Sequence, residues 1–308
     1  MASSKKVIYA ALTGNMLIAI TKFGAAIVTG SSAMLSEGIH SVVDTGNQVL
    51  MLHGLKRAAR PPDREFPFGY GKEVYFWSFI VAILIFALGA GISIYEGVLH
   101  LIKPRPVEDP YVNYIVLALA ALFEGAAWYF AFREFTKTKG KWSYVRAVSR
   151  AKDPSIFVVL FEDSAALLGL ATAFLGLFLG QITGIEYFDG SASIVIGLIL
   201  GGTAVWLAYE TKGLLIGESA EESTVRGIRE LAGGFECVEH VNEVLTLHMG
   251  PDFILVNISL DFYDKASAGD IENTIERLDR EIKRCYPLVK RIFIEAEPRK
   301  EEVAEPIS

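Results

Sequence analysis

His40 and Asp44 stand four positions apart in SEGIHSVVD, residues 36–44. On a helix that spacing puts both side chains on one face, a turn apart. An imidazole and a carboxylate make a mixed nitrogen and oxygen donor pair, which suits a borderline divalent cation such as zinc. A second acidic point lies in LFEDSAALLGL, residues 160–170, where Glu162 and Asp163 interrupt an apolar run. Adjacent carboxylates point about 100° apart on a helix, so these two need not share a target. If Asp163 meets His40 and Asp44, two carboxylates and one imidazole surround a point suited to a doubly charged ion. The same oxygens can hold protons when the metal leaves. Exchange of a metal for protons at mid-membrane depth is what an antiporter requires. The alternative is a hydrogen-bonded polar knot that only fixes helix packing.

Both motifs need helices that bury them. The chain has 308 residues, 52% of them hydrophobic, and a mean hydropathy of +0.36. The apolar excess fills the chain up to about residue 217. A spanning helix takes about 20 mostly apolar residues. Such runs predict helices near 7–29, 32–55, 74–101, 111–133, 156–180 and 187–210. Lys and Arg gather in the loops at 57–72 and 136–154, which places those loops and both termini in the cytoplasm. MASSKK precedes the first run with no cleavage pattern, so that run reads as a retained helix. Short termini without a transit-peptide pattern lead us to expect a bacterial or archaeal plasma membrane. The net charge of −7 gives no sign of a nucleic-acid partner. Cys237 and Cys285 form no framework and read as small, partly buried residues.

Polar residues inside the runs must face protein or water, because charge in hydrocarbon costs about 2.5–3.5 kcal/mol or more. Besides the residues above they are Asn15, Lys22, Glu37, Asn47, Gln48 and Glu124. Lys22 can snorkel or pair with a carboxylate. Glu124 reads as a structural hydrogen-bonder, and His53 and His100, near helix ends, as interfacial. GLFLG at 176–180 and GLILG at 197–201 are GxxxG faces that permit close helix approach.

From residue 218 the pattern becomes that of a soluble α+β domain. An acidic helix start is followed by two alternating runs, VNEVLTLHMG and FILVNISLDF, joined at GPD as a hairpin. A helix over 267–286 follows, capped by Ser267, with Ile271, Ile275, Leu278 and Ile282 on one face. VKRIFIEAEP is a last strand. The expected division is a six-helix transmembrane domain at 1–216, an α-β-β-α-β, ferredoxin-like cytoplasmic domain at 217–298, and a disordered tail at 299–308.

The chain resembles the cation diffusion facilitators, a family of zinc and manganese exporters. The resemblance covers roughly residues 7–298. It rests on the spans, SEGIHSVVD, FPFGYGK at 66–72, GAGISIYEG at 89–97, EDSAALLG at 162–169 and the C-terminal domain. It is nearest to the branch containing the mitochondrial zinc exporter of animal cells. The family's site pairs [HD]xxxD in helix 2 with [HD]xxxD in helix 5. His40 and Asp44 match the first motif and Asp163 the end of the second, but Val159 stands where the fourth ligand belongs. Glu162, Asn15 or a water is left to complete the shell.

The family's loop site, an Asp and two His, falls here on Asp63, Phe66 and Tyr70, so no second metal is expected there. The regulatory positions of its C-terminal domain fall on Asn242, Asn257, Glu295 and Glu297, with His240 and His248 off the pattern. That domain is expected to serve dimerisation. Glu295 and Glu297 read as surface residues, with a hard-cation site as the alternative.

The resemblance implies a homodimeric, proton-coupled exporter of Zn2+ in a lipid bilayer, working by alternating access. Mn2+, Fe2+ and Co2+ remain open as substrates because one ligand is replaced. A non-transporting metal sensor or scaffold is the competing class. A membrane hydrolase fits least, for want of HExxH or a nucleophile beside a base.

Val159 lies one turn before Asp163. Val159→His should rebuild an imidazole–carboxylate pair, tighten zinc at least several-fold, about 1 kcal/mol or more, and shift preference away from manganese. Titration calorimetry of the purified protein with both metals reads this. Unchanged zinc affinity would mean that position 159 does not face the site.

Overall fold

The computed structural model describes residues 2–104, 107, 109–138 and 154–299. Part of the basic loop at 136–154 and nearly all of the expected tail lie outside the described residues. The chain divides into two compact units, Met1–Arg57 with Glu73–Lys212, and Ala58–Lys72 with Gly213–Ser308.

The first unit is helical. Its helices are α1 (Ala2–Thr29), α2 (Ser32–Ala58), α3 (Glu73–Ile102, with a π-helical turn at Ile85–Ala90), α4 (Pro110–Thr138), α5 (Pro154–Thr183) and α6 (Tyr187–Ile216). Among the described residues, four stretches are long and apolar enough to cross a membrane: all of α3, Pro110–Arg133 of α4, Phe157–Thr183 of α5, and all of α6. α1 is apolar over Asn15–Thr29. α2 is outside this group because it carries Glu37, His40, Asp44, Asn47 and Gln48.

The polarity of α2 is reversed relative to a helix of a water-soluble protein. Its buried residues include Ser32, Ser36, Glu37, His40, Ser41, Thr45 and Asn47. Val42 and Val49, by contrast, are exposed. Elsewhere Leu122, Leu168 and Leu198 also face outward. A polar interior with an apolar exterior suits hydrocarbon and not water.

Glycine lets the helices come close, as the GxxxG faces led us to expect. A Cβ built on Gly197 would lie 2.6 Å from Ile94 Cγ1 and 3.0 Å from the Ala90 carbonyl, so α6 presses on α3. On Gly176 it would lie 3.1 Å from the Phe188 carbonyl at the start of α6.

The second unit holds α7 (Glu222–Gly233), β1 (Val238–Gly250), β2 (Phe253–Phe262), α8 (Ala268–Cys285) and β3 (Val289–Ala296). The three-stranded sheet has the order β1-β2-β3. β1 and β2 are antiparallel across the expected hairpin, where Gly250 pairs with Phe253. β3 is parallel to β2, and α8 makes the crossover between them. Ser267 caps α8 in a box with Asp270, satisfying backbone donors that the first turn leaves free. Leu278 and Ile282 are fully buried with Val256, Ile258 and Leu260, while Ile271 and Ile275 line the margin of that core.

The 58–72 segment belongs to this second unit. Asp63 accepts from the Glu65 and Phe66 backbone N–H groups and from the Tyr70 hydroxyl at 2.6 Å. The Tyr70 hydrogen bond first, and then that of Phe66, hold the Asp63 carboxyl below the usual range. Phe68 meets Phe293 edge-on, with ring centroids 6.4 Å apart.

Gly197→Ala should cost about 1–3 kcal/mol by overpacking the α3/α6 contact. Gly202→Ala, where nothing lies within 4 Å of the added carbon, should be neutral or gain up to about 1 kcal/mol of helix propensity. Thermal unfolding in detergent compares the two.

Candidate metal site

α2 is anchored at its first turn by a side chain from another helix. Asp189 of α6 accepts from the Ser32 backbone N–H at 2.6 Å and the Ser32 hydroxyl at 2.9 Å. It also accepts from Ala33 N–H and the Ser31 hydroxyl. A carboxylate at a helix N-terminus satisfies free donors and complements the helix dipole. One turn on, Ser36 hydrogen-bonds Ser193 of α6. Continuing at fourfold spacing, this face of α2 presents His40, Asp44 and Gln48.

His40 is 1% exposed. Its Nδ1 lies 3.4 Å from Asp44 Oδ1, the expected pairing one turn apart, without hydrogen-bond geometry. Both ring nitrogens of His40, Asp44 Oδ1 and Asp163 Oδ2 are buried without a hydrogen-bond partner. Asp44 lies within electrostatic reach of Glu162, Glu124 and Asp163. Buried polar atoms are nearly always paired, so this group of unpaired donors and acceptors is chemically poised for a cation or for protons.

Glu162 is joined to α2 differently. Its Oε1 accepts from Asn47 Nδ2 at 2.7 Å, which ties α5 to α2. Val159 is half-buried one turn before Asp163. Asn15 is half-buried on α1, and no described hydrogen bond links it to these residues. Among the described residues, no three His, Cys, Asp or Glu side chains converge closely enough to hold one metal ion.

Of the two roles open to Lys22, the structure adopts the pairing. The Lys22 ammonium donates to Glu37 at 3.0 Å, Ser41 at 2.9 Å and Glu124 at 2.7 Å. His100 departs from its expected interfacial place. It is 8% exposed, and Nδ1 lies 3.7 Å from Asp189. Sequence reasoning missed Asp189 altogether. Its only signal was an acid at the start of a helix after a short loop.

In the second unit, Asn242 Nδ2 donates to Ser259, whose hydroxyl donates to Glu297 at 2.5 Å. Asn257 donates to Glu295 at 3.4 Å. His248 is buried, with Nδ1 3.4 Å from the Gly250 carbonyl. Cys237 and Cys285 are free thiols.

Comparison with known proteins places these helices in context. A family profile described as the cation efflux transmembrane domain matches residues 8–216. A protein named proton-coupled zinc antiporter SLC30A9, mitochondrial, from Xenopus laevis is 35% identical over 83% of this chain and 46% of its own length. Metal tolerance protein C4 of Arabidopsis thaliana is 30% identical over 90% of this chain and 61% of its own. Manganese efflux system protein MneP of Bacillus subtilis is 26% identical over 97% of each. The chain thus spans about half the length of the SLC30A9 relatives it matches.

Removing the anchor of α2 should be costly. Asp189→Ala leaves the Ser32 N–H without its acceptor and is expected to lower stability by about 1–3 kcal/mol. Thermal unfolding in detergent would show it. An unchanged midpoint would mean that the turn is held by other groups.

Proposed function

The chain belongs to the cation efflux family of membrane transporters, and we propose that it exports a divalent cation, zinc first, in exchange for protons. The observation that carries this reading is the buried, unpaired His40 beside Asp44 on α2, with Asp44 within electrostatic reach of Glu162 and Asp163 of α5. His40 supplies a nitrogen donor, and Asp44 and Asp163 supply anionic oxygens. Glu162 is held by Asn47 and lies within electrostatic reach of Asp44, so it would have to leave Asn47 to join them. When the cation departs, the same oxygens take protons, so charge in the low-dielectric interior stays nearly balanced through the cycle. Export then needs the site to open to each side in turn, with helices sliding on small contacts such as those at Gly97, Gly176 and Gly197.

The reading extends to six spans with both termini in the cytoplasm, supported by six long helices among the described residues and by the placement of Lys and Arg. The α-β-β-α-β order of the second unit supports a ferredoxin-like domain that joins two copies of the chain. Relatives named for mitochondria and a bacterial relative match the same chain, so the membrane is not assigned by kinship. Manganese is the second reading of the substrate. It is favoured by a donor set of one imidazole among carboxylates, and a manganese efflux protein is among the relatives.

Reconstituted vesicles, acidic inside and loaded with a zinc dye, test this directly. The wild-type protein should drive zinc inward as protons leave. Asp44→Asn keeps the volume and removes a charge, so it should reduce flux at least tenfold while the protein stays folded. A sensor or scaffold would show no pH-driven flux in the wild type. Wild-type flux from Asp44→Asn would remove Asp44 from the site.

A further inference from the structure

Glu124 divides its carboxylate between two tasks. Oε1 accepts from the Lys22 ammonium at 2.7 Å, whereas Oε2 is buried and has no hydrogen-bond partner. Its helix, α4, lies along α5, where Trp128 Nε1 donates to Ser164 Oγ at 2.9 Å. Ser164 adjoins Asp163, and Glu124 is one helical turn from Trp128. Glu124 is within electrostatic reach of both Asp163 and Asp44. Lys22, which holds Glu124, also donates to Ser41, the chain neighbour of His40, which is 1% exposed with neither nitrogen paired. A buried carboxylate with one oxygen unpaired, next to an incomplete donor set, is most simply read as a member of that set.

Lys22 explains why Glu124 is not already drawn in. It donates to Glu37, Ser41 and Glu124 at once, so all three ammonium hydrogens have acceptors. The opposite oxygen of Glu37 lies against Gly169 of α5, where a Cβ would collide with it. Glu37 Oε1 and Glu124 Oε2 both lack a hydrogen-bond partner, but that of Glu37 is packed against α5 at Gly169, which leaves Glu124 as the partner able to turn toward a cation.

Resting on the transport-site reading above, we infer that Glu124 supplies the fourth cation ligand in place of Val159, and that Lys22 is a tethered cation competing with the substrate for it. The chemical class bound is a divalent cation with room for oxygen donors. The competition has a use. A site of three carboxylates and an imidazole would hold zinc tightly, and an ammonium waiting to take back Glu124 assists release.

Zinc titration of the full-length protein in detergent tests this, with thermal unfolding as the check on folding. Glu124→Gln should weaken zinc binding at least tenfold. Lys22→Met combined with Glu37→Gln leaves the net charge of the cluster unchanged and frees Glu124, so zinc should bind at least threefold more tightly and vesicle flux should fall. Adding Glu124→Gln to that pair should remove the tightening. A merely structural ion cluster would give no tightening in the charge-conserving pair, and that result overturns the inference. So does zinc affinity within twofold of wild type for Glu124→Gln when Asp44→Asn abolishes binding. If Asp44→Asn also binds as wild type, the transport-site reading fails and this inference falls with it. Should Glu124→Gln not fold, Glu124→Asp takes its place. It should weaken zinc at least threefold, and unchanged affinity counts against the inference.

Discussion

Charge in an apolar helical unit must be matched where it lies, and the ammonium of Lys22 meets that constraint with three acceptors from two other helices. Glu37 and Ser41 come from α2 and Glu124 from α4. Removing one partner of such a buried set strands the others, at a typical cost of about 3–5 kcal/mol. The ion cluster therefore fixes the rotation of α1, α2 and α4 about their axes. With α2 held in that rotation by Lys22 and at its first turn by Asp189, His40 and Asp44 are turned inward. The donor set on α2 is a consequence of how those charges are paired.

The same constraint explains why α2 is the least apolar of the long helices. A helix that buries seven polar side chains, from Ser32 to Asn47, needs neighbours that cover them. The apolar helices α3 to α6 present outward Leu and Phe, such as Leu122, Phe174 and Leu198, and can do so. Close approach at Gly197 and Gly176 shortens the distance over which polar groups must reach one another. Asn47 to Glu162 and Ser36 to Ser193 are hydrogen bonds of that kind, between α2 and its neighbours. Stability and site construction thus draw on the same polar contacts.

Local features were legible from sequence and long-range pairings were not. The His40–Asp44 pairing follows from fourfold helical spacing, the Ser267 cap from its neighbour Asp270, and the glycine contacts from GxxxG. Lys22 and Glu124 stand 102 positions apart, and nothing local links them. Asp189 caps a helix that begins 157 residues earlier, so it too lacks a local signal. His100 looked interfacial because it is near a helix end, yet its proximity to Asp189 goes with burial. Residues 57–72 read as a plain loop, but Phe68 packs on Phe293 of β3, and residues 58–72 belong to the second unit. Glu162 and Asp163 were visible as a pair. Only the partner Asn47 separates their roles.

The central claim is that α2 and α5 bind the transported cation between them. Diffraction from zinc-soaked crystals, recorded on both sides of the zinc absorption edge, tests it most directly. The account predicts one strong anomalous peak per chain in the helical unit, bounded by His40 and Asp44 of α2 and Asp163 of α5. A map with no peak between those helices at saturating zinc, or with zinc only in the second unit, would contradict it.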